Sequence, residues 1–293
     1  MKQTAESGCK LNWYLKVCAR RPDGYHDIVT LFQYLPFPSD RITVDFSAAP
    51  GIRVCCDDPS LPQDLHNLAG KAAKAYADAA GIVPSWSIFI EKHVPSAAGL
   101  GGGSADAGTV LRLLEEHYHA LGREKLVAAA SGIGADVPFF LAPQVVLAEG
   151  IGEKLTVCPA PEHLPFLLLV KPGFPVSAKW AYTHLDSGRI APAPEDGVAE
   201  LLRSLKEMDW NALAKVMHND LEYALFEKFP LLEIIRSCLL ESGALRVMVS
   251  GSGSTVFGVF ADGSCRDKAQ EQVRQLLASD PGTEIFAIGG INE

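Results

Sequence analysis

The sequence carries no excess of positive charge: 26 Lys and Arg stand against 35 Asp and Glu, a formal net charge of −9. A general nucleic-acid binder needs a basic face, so that class is not expected. An acidic chain can still hold an anion locally, through single Lys or Arg side chains and backbone N–H groups. No apolar run reaches about 18 residues, so no membrane span is expected. Met1-Lys2-Gln3-Thr4-Ala5-Glu6 lacks the apolar core of a signal peptide, and a cytoplasmic protein is the expectation. The seven cysteines (Cys9, Cys18, Cys55, Cys56, Cys158, Cys238, Cys265) include no Cys-x-x-Cys pair. A zinc site or disulfide framework is therefore not expected, and the thiols read as reduced.

What the sequence does contain is enough apolar material for a substantial core, 48% hydrophobic residues against 21% charged in 293. That length favours two domains. The proline-rich stretch Cys158-Pro159-Ala160-Pro161-Glu162-His163-Leu164-Pro165 divides them, giving 1–158 and 159–293. The fold class is α+β. Strands are expected at 9–19, 28–35, 42–46, 52–55, 85–92, 145–149 and 154–157, then at 166–171, 246–249, 255–260 and 284–287. Along the first of these, Lys10, Asn12, Tyr14 and Lys16 share a face and Leu11, Trp13, Leu15 and Val17 the other. The polar face is solvated or lines a site. Asn67 reads as the N-cap of a helix reaching Ala80 and stopped by Gly81. Further helices are expected over 104–121, 123–131, 177–186, 196–207, 209–226, 230–242 and 263–278, with an exposed loop at 187–197.

One stretch organises the chemistry. In Pro95-Ser96-Ala97-Ala98-Gly99-Leu100-Gly101-Gly102-Gly103-Ser104-Ala105-Asp106, four glycines fall within five residues, directly before a helical pattern. Glycine tolerates positive φ and lets a bulky ligand approach the backbone. A helix start adds free N–H groups and the positive end of the macrodipole, so the loop is suited to a phosphate. It is not a Walker A loop, which needs Gly-Lys-Ser/Thr. Nor is it a dinucleotide fingerprint: the third glycine is misplaced and no acidic strand end follows about 20 residues on. Ser104 is placed to reach a phosphate oxygen or its metal.

Three further positions have open alternatives. Asp136, the lone carboxylate of Gly134-Ala135-Asp136-Val137-Pro138, is either a cap on the turn at Pro138 or a general base for phosphoryl transfer. Lys10 is either solvated or faces a carboxylate that it keeps ionised. Tyr25 and His26, after the Asp23-Gly24 turn, either shield core or stack on and read a base. His117 and His119 are two apart on a helix and make a poor metal pair.

Together these segments have a precedent. The run Pro95 to Ser104 resembles the ATP-phosphate motif of the GHMP kinases (galactose, homoserine, mevalonate and phosphomevalonate kinases). Four further segments are similar to one branch of that family: Lys10-Leu11-Asn12, Arg21-Pro22-Asp23-Gly24-Tyr25-His26, Gly134-Ala135-Asp136-Val137-Pro138 and Gly251-Ser252-Gly253-Ser254-Thr255-Val256-Phe257. That branch phosphorylates the 2-hydroxyl of 4-diphosphocytidyl-2-C-methyl-D-erythritol, in the non-mevalonate route to isoprenoids. The resemblance implies an N-terminal domain like ribosomal protein S5 domain 2 and a ferredoxin-like C-terminal domain. It implies ATP, with Mg²⁺, as cofactor, no nucleic-acid or membrane partner, and a monomer or weak homodimer.

By the same carry-over Asp136 is the base and Lys10 its partner, and the run Pro95 to Asp106 holds the nucleotide phosphates. Asn67 and Lys92 fall where relatives place nucleotide contacts. Asn12 places the methylerythritol hydroxyls, His26 hydrogen-bonds cytosine, and Tyr25 and Tyr182 cover its two faces. Two positions depart from the family pattern. Ser254 stands where relatives often have proline, so that loop is expected to be looser. Ala178 stands where a threonine commonly precedes the stacking aromatic, so its hydrogen bond is expected to be lost or moved to Ser177. The metal ligands are not implied. Rival readings are a homoserine- or mevalonate-type kinase of the same family and a catalytically silent ligand-sensing relative.

Overall fold

The computed structural model describes residues 1–142, 144–185, 193 and 196–289. They form two compact units interleaved along the chain. The first takes Met1–Lys10, Tyr34–Ser96 and Gly101–Gln144, the second Leu11–Gln33, Ala97–Leu100 and Val145–Glu293. Strands β1 (Lys2–Arg20) and β2 (His26–Asp45), and the glycine-rich loop, therefore each contribute residues to both.

In the first unit β3 (Gly51–Cys56) runs parallel to β4 (Ser85–Glu91), and β4 is antiparallel to the end of β2, with Arg41 opposite Glu91. Alternation puts Ile42 and Val44 of β2 and Trp86, Ile88 and Ile90 of β4 inward, where all are buried. Against them pack Ala69, Ala72, Ala73 and Tyr76 of α1 (Leu68–Ala80) and Ala107, Val110, Leu111 and Leu114 of α2 (Gly102–Tyr118). Helix α1 begins and ends as its sequence indicates. Asn67 Oδ1 accepts the Ala69 N–H at 3.0 Å, and Gly81, at φ 66°, closes the last turn in the left-handed region. After α3 (Gly122–Ser131) a short 3₁₀ turn, Pro138–Leu141, buries Phe139 and Phe140.

In the second unit the start of β2 pairs with β5 (Val145–Gly150), which pairs with β6 (Lys154–Cys158). Strand β7 (Phe166–Lys171) follows, then α4 (Ala178–Thr183), α5 (Gly197–Glu207), α6 (Trp210–Val216), the two-residue β8 (His218–Asn219) and α7 (Glu222–Lys228). Helix α8 (Pro230–Glu241), β9 (Arg246–Val249), β10 (Val256–Phe260), α9 (Gly263–Leu276) and β11 (Glu284–Ile288) complete it. The sheet order is β11-β7-β10-β9, every pair antiparallel. Leu232, Ile235 and Leu239 of α8 and Ala269 and Val273 of α9 join its core. The expected loop 187–197 lies almost entirely outside the described residues.

Two expectations are corrected. The strands expected at 28–35 and 42–46 are one strand, because Pro36 and Pro38 fall where β2 has left β5 (last pair Gln33) and not yet met β4 (first pair Arg41). A missing N–H there breaks no bond of either ladder. The helix expected over 209–226 is two short helices separated by β8. Met217 is extended, at φ −58° and ψ 135°, and His218 and Asn219 run parallel to Tyr14 and Leu15 of β1. Asn219 causes the break. Its Nδ2 donates to the carbonyls of Val249 (2.9 Å) and Gly251 (2.8 Å) while Oδ1 accepts the Leu221 N–H at 3.0 Å, so the side chain outcompetes the helical hydrogen bonds. Asn219→Ala leaves these buried groups unpaired and is expected to lower the free energy of unfolding by about 2–4 kcal/mol, measured by urea titration.

Candidate active site

The polar face of β1 is not solvated. Lys10 is 4% exposed and Asn12 1%, and only Lys16, farther along, reaches solvent. Burial lowers the Lys10 pKa, and the nearby Asp136 carboxylate opposes that shift. Asp136 itself sits in the turn before Pro138. The cap of that turn is Val137, with no side-chain capping bond, which leaves the capping alternative without support. The glycine-rich loop comes directly onto this pair. A Cβ on Gly101 would lie 3.2 Å from both Lys10 Cγ and the Phe140 ring. Gly101 also takes φ 73°, and as the N-cap of α2 it supplies no side-chain cap. The first-turn N–H groups of α2 thus start beside a buried ammonium with no side chain occupying them, which suits an anion.

A second buried ammonium stands at the same helix start. Lys92 Nζ bonds both Asp40 and, at 2.9 Å, Asp106 of the first turns of α2. Burial works against its charge, but Asp106 and Asp40 outweigh it and hold the Lys92 pKa above the ordinary value. Burial likewise pushes the Asp106 carboxyl up to about 7, against the pull of Lys92. Its Oδ1 is buried without a hydrogen-bond partner. Asn67 is less available: besides capping α1, its Nδ2 donates to the Pro62 carbonyl at 3.0 Å. Asp40 was not singled out by the sequence. Its only signal is a carboxylate on the otherwise apolar inward set of β2 that Ile42 and Val44 continue.

Within the second unit the arch Ala97–Leu100 is held by its backbone carbonyls. Ala97 O accepts the Val176 N–H (3.4 Å), Ala98 O the Thr255 N–H (3.1 Å) and Gly99 O the Ser250 hydroxyl (3.0 Å). Gly99 is at φ 78°, and a Cβ there would lie 2.0 Å from the Ser250 carbonyl oxygen, so the contact requires glycine. Pro95 and Ala98 are buried, whereas Ser96, Ala97 and Gly103 are exposed.

The turn that carries Tyr25 and His26 is closed by Tyr25 O accepting the Arg21 N–H at 2.8 Å and by Asp23, which accepts the Tyr25 N–H at 3.1 Å. Arg21 pairs with Asp23 and Asp27 on either side. The His26 ring stacks on Tyr182 of α4, centroids 5.6 Å apart and planes 23° apart, while Tyr25 is 62% exposed. Asn12 Nδ2 donates to Thr30 Oγ1 at 2.7 Å, and that hydroxyl donates to the Tyr14 carbonyl at 2.6 Å, which fixes the amide's orientation. Ser177 caps α4, its Oγ accepting the Trp180 N–H at 3.3 Å.

The fold thus assembles Lys10, Asp136, Lys92, Asp106 and the Gly101–Ser104 helix start in one unit. It assembles His26 with Tyr182 in the other. Among the described residues no three His, Cys, Asp or Glu side chains form a group that could hold a metal ion. His117 instead stacks on Phe46, centroids 3.8 Å apart, and His119 closes α2 in the left-handed region.

Comparison with known proteins identifies the family. The model of the GHMP kinase N-terminal domain matches residues 67–143, and that of the C-terminal domain matches 201–279. Over 287 residues, 97% of each chain, the sequence is 41% identical to the 4-diphosphocytidyl-2-C-methyl-D-erythritol kinase of Syntrophotalea carbinolica. A solved structure of a 4-(cytidine 5′-diphospho)-2C-methyl-D-erythritol kinase superposes with a TM-score of 0.80 at 33% identity, over 98% of this chain and 100% of that one. The homoserine kinase of Cytophaga hutchinsonii superposes with a TM-score of 0.77 over 98% and 95%, but at 21% identity, a likeness of fold alone. With both domain models matched and a relative 41% identical along nearly its whole length, the chain belongs to the GHMP kinase family.

Proposed function

We propose that this protein transfers the γ-phosphoryl group of ATP to the 2-hydroxyl of 4-diphosphocytidyl-2-C-methyl-D-erythritol, giving the 2-phosphate and ADP, in the non-mevalonate route to isoprenoids. The observation that carries the chemistry is the Lys10–Asp136 pair beneath Gly101 at the start of α2. The substrate is supported by the relatives that share this name at 33–41% identity over at least 97% of the chain. The homoserine and mevalonate readings have no comparable support, since the homoserine kinase neighbour shares only the fold. A silent sensor is disfavoured by an intact lysine–carboxylate pair.

In this reading the α2 N–H groups and Lys92 hold the nucleotide phosphates. Lys10, buried and beside Asp136, offers positive charge to the transferring group. Asp136 accepts the proton of the 2-hydroxyl as its oxygen attacks in line, and positioning plus electrostatics supply most of the acceleration. Glycines without room for a Cβ and two buried ammonium groups fit a polyphosphate. Mg²⁺ bound with the nucleotide would neutralise charge on its phosphates. His26 would hydrogen-bond cytosine, with Tyr25 and Tyr182 against its faces, and Asn12 and Ser177 would meet the remaining polar groups. The matched stretches 67–143 and 201–279 fall on either side of residue 158, in keeping with domains of 1–158 and 159–293, whereas the compact units interleave and group residues 11–33, 97–100 and 145–158 with the second. We take the enzyme to be a cytoplasmic monomer or weak homodimer; among the described residues no helix is long and apolar enough to cross a membrane.

Asp136→Asn preserves shape but removes the proton acceptor, and turnover is expected to fall on the order of 100-fold or more in a coupled ADP-release assay. A near-native rate would refute the assignment of the base. Tyr182→Ala removes the ring stacked on His26 and is expected to raise the KM for the cytidine-linked substrate by about 5- to 50-fold, leaving the KM for ATP within about twofold. Equal changes in both constants would place Tyr182 outside base recognition.

A further inference from the structure

We propose that Asp40 is a positioning residue for the nucleotide: it fixes the entry of the glycine-rich loop and holds Lys92 against the start of α2. The proposal rests on the reading of that helix start as the ATP phosphate site. Asp40 is fully buried near the end of β2, and its carboxylate is spent on one short segment. Oδ1 accepts the N–H groups of His93 (2.6 Å) and Val94 (2.8 Å), and Oδ2 bonds Lys92 Nζ. Three successive residues, 92–94, are thereby pinned where the chain leaves β4 and turns toward Pro95.

What this segment supports is the first residue of α2. A Cβ on Gly102 would lie 2.9 Å from Val94 Cγ1 and 3.5 Å from Lys92 Nζ. Val94, 2% exposed, cannot move without changing the surroundings of the helix start. Lys92, which also bonds Asp106, cannot swing away from it. Buried ammonium groups persist only when carboxylates accompany them, and the two here come from β2 and α2, the elements on either side of the loop entry. Asp40 shares its ammonium with Asp106, whose Oδ1 has no partner, so the triad is arranged around Lys92 rather than around either carboxylate. A carboxylate whose bonds tie a lysine and two loop amides to a helix start acts on what binds there without touching it.

Two substitutions separate the two tasks. Asp40→Asn keeps an oxygen for the His93 and Val94 N–H groups but removes the charge beside Lys92, whereas Asp40→Ala removes both. The measurements are KM and kcat for ATP and for the alcohol substrate, thermal unfolding, and amide hydrogen exchange at His93 and Val94. Asp40→Ala is expected to raise the KM for ATP by about tenfold, equivalent to losing one charge-assisted hydrogen bond. The KM for the alcohol should stay within about twofold and kcat within about threefold, while exchange at His93 and Val94 accelerates. Asp40→Asn is expected to keep exchange slow and raise the KM for ATP by about threefold. Ser104→Ala, in the loop itself, serves as the control.

If Ser104→Ala weakens ATP and Asp40→Ala changes only the melting temperature, Asp40 is merely structural and the proposal is overturned while the site stands. If Ser104→Ala leaves the KM for ATP unchanged, the phosphate site lies elsewhere and both fall. Should Asp40→Ala fail to fold, Asp40→Asn decides, and an unchanged KM for ATP there overturns the proposal.

Discussion

Two ammonium groups buried at one helix start are the constraint on which the first unit depends. In water Lys10 and Lys92 would need no company. Inside the protein each carries a desolvation cost that only a nearby carboxylate or a bound anion can offset. The two are handled differently. Lys92 has two carboxylates, and its charge is held firmly. Lys10 has Asp136, which opposes but does not cancel the effect of burial, so its pKa is lowered. The first is an ammonium fixed in place and already offset by its own carboxyl partners. The second is a charge whose stability rises when further negative charge arrives, which is what a transferring phosphoryl group would bring. Since each ammonium is already accompanied by carboxyl groups, the donors left for an anion in a chain of net charge −9 are the uncapped N–H groups that open α2, beside which both ammonium groups stand.

The glycines solve the complementary problem of access. Gly101 and Gly102 let the start of α2 come within contact distance of Lys10 and Lys92, and Gly99 lets the arch before them meet the Ser250 carbonyl. The arch also includes Ala97 at φ 51°, a left-handed conformation that costs a non-glycine residue energy. It is tolerated because three consecutive carbonyls, of Ala97, Ala98 and Gly99, each accept a hydrogen bond from Val176, Thr255 or Ser250. Those bonds over-determine the arch. They also occupy the carbonyl oxygens, the backbone groups that would repel a phosphate.

The parts of this arrangement that were legible in the sequence are those governed by neighbours along the chain. Asn67 and Gly81 marked both ends of α1, and the glycines announced the start of α2 within two residues, because capping and positive φ are local requirements. The parts that were not legible depend on partners far away. Nothing near Asn219 says that its amide will meet the carbonyls of Val249 and Gly251, some 30 residues on, and so break a run with helical periodicity. Nothing around Asp40 says that its backbone donors are His93 and Val94, more than 50 residues away. The face of β1 bearing Lys10 and Asn12 could be read only as polar. Whether polar meant solvated or buried was decided by what covers it. The family resemblance supplied roles for residues whose local sequence left alternatives open, and it was silent on Asp40, which bears on those roles only through Lys92 and the loop.

At the two departures from the family pattern, local hydrogen bonds take up what the exchanged side chain leaves. Proline at position 254 would stiffen its loop by removing backbone freedom. Serine does not, yet Ser254 is fully buried and its hydroxyl donates to the Phe174 carbonyl at 2.7 Å. The flanking Thr255 N–H holds Ala98, and the Gly253 N–H returns to the Ser250 carbonyl. Rigidity that a ring would impose covalently is provided by hydrogen bonds, so the expected loosening is absent from the native arrangement. At position 178 alanine offers no hydroxyl, and the adjacent Ser177 has already committed its oxygen to capping α4. Capping uses a lone pair and leaves the hydroxyl proton free to be donated. Ser177 can therefore serve a substrate acceptor without surrendering the helix, but it cannot accept from a substrate donor as freely as an uncommitted threonine would. If position 177 meets the substrate as proposed, the substitution narrows the polarity of that contact rather than abolishing it.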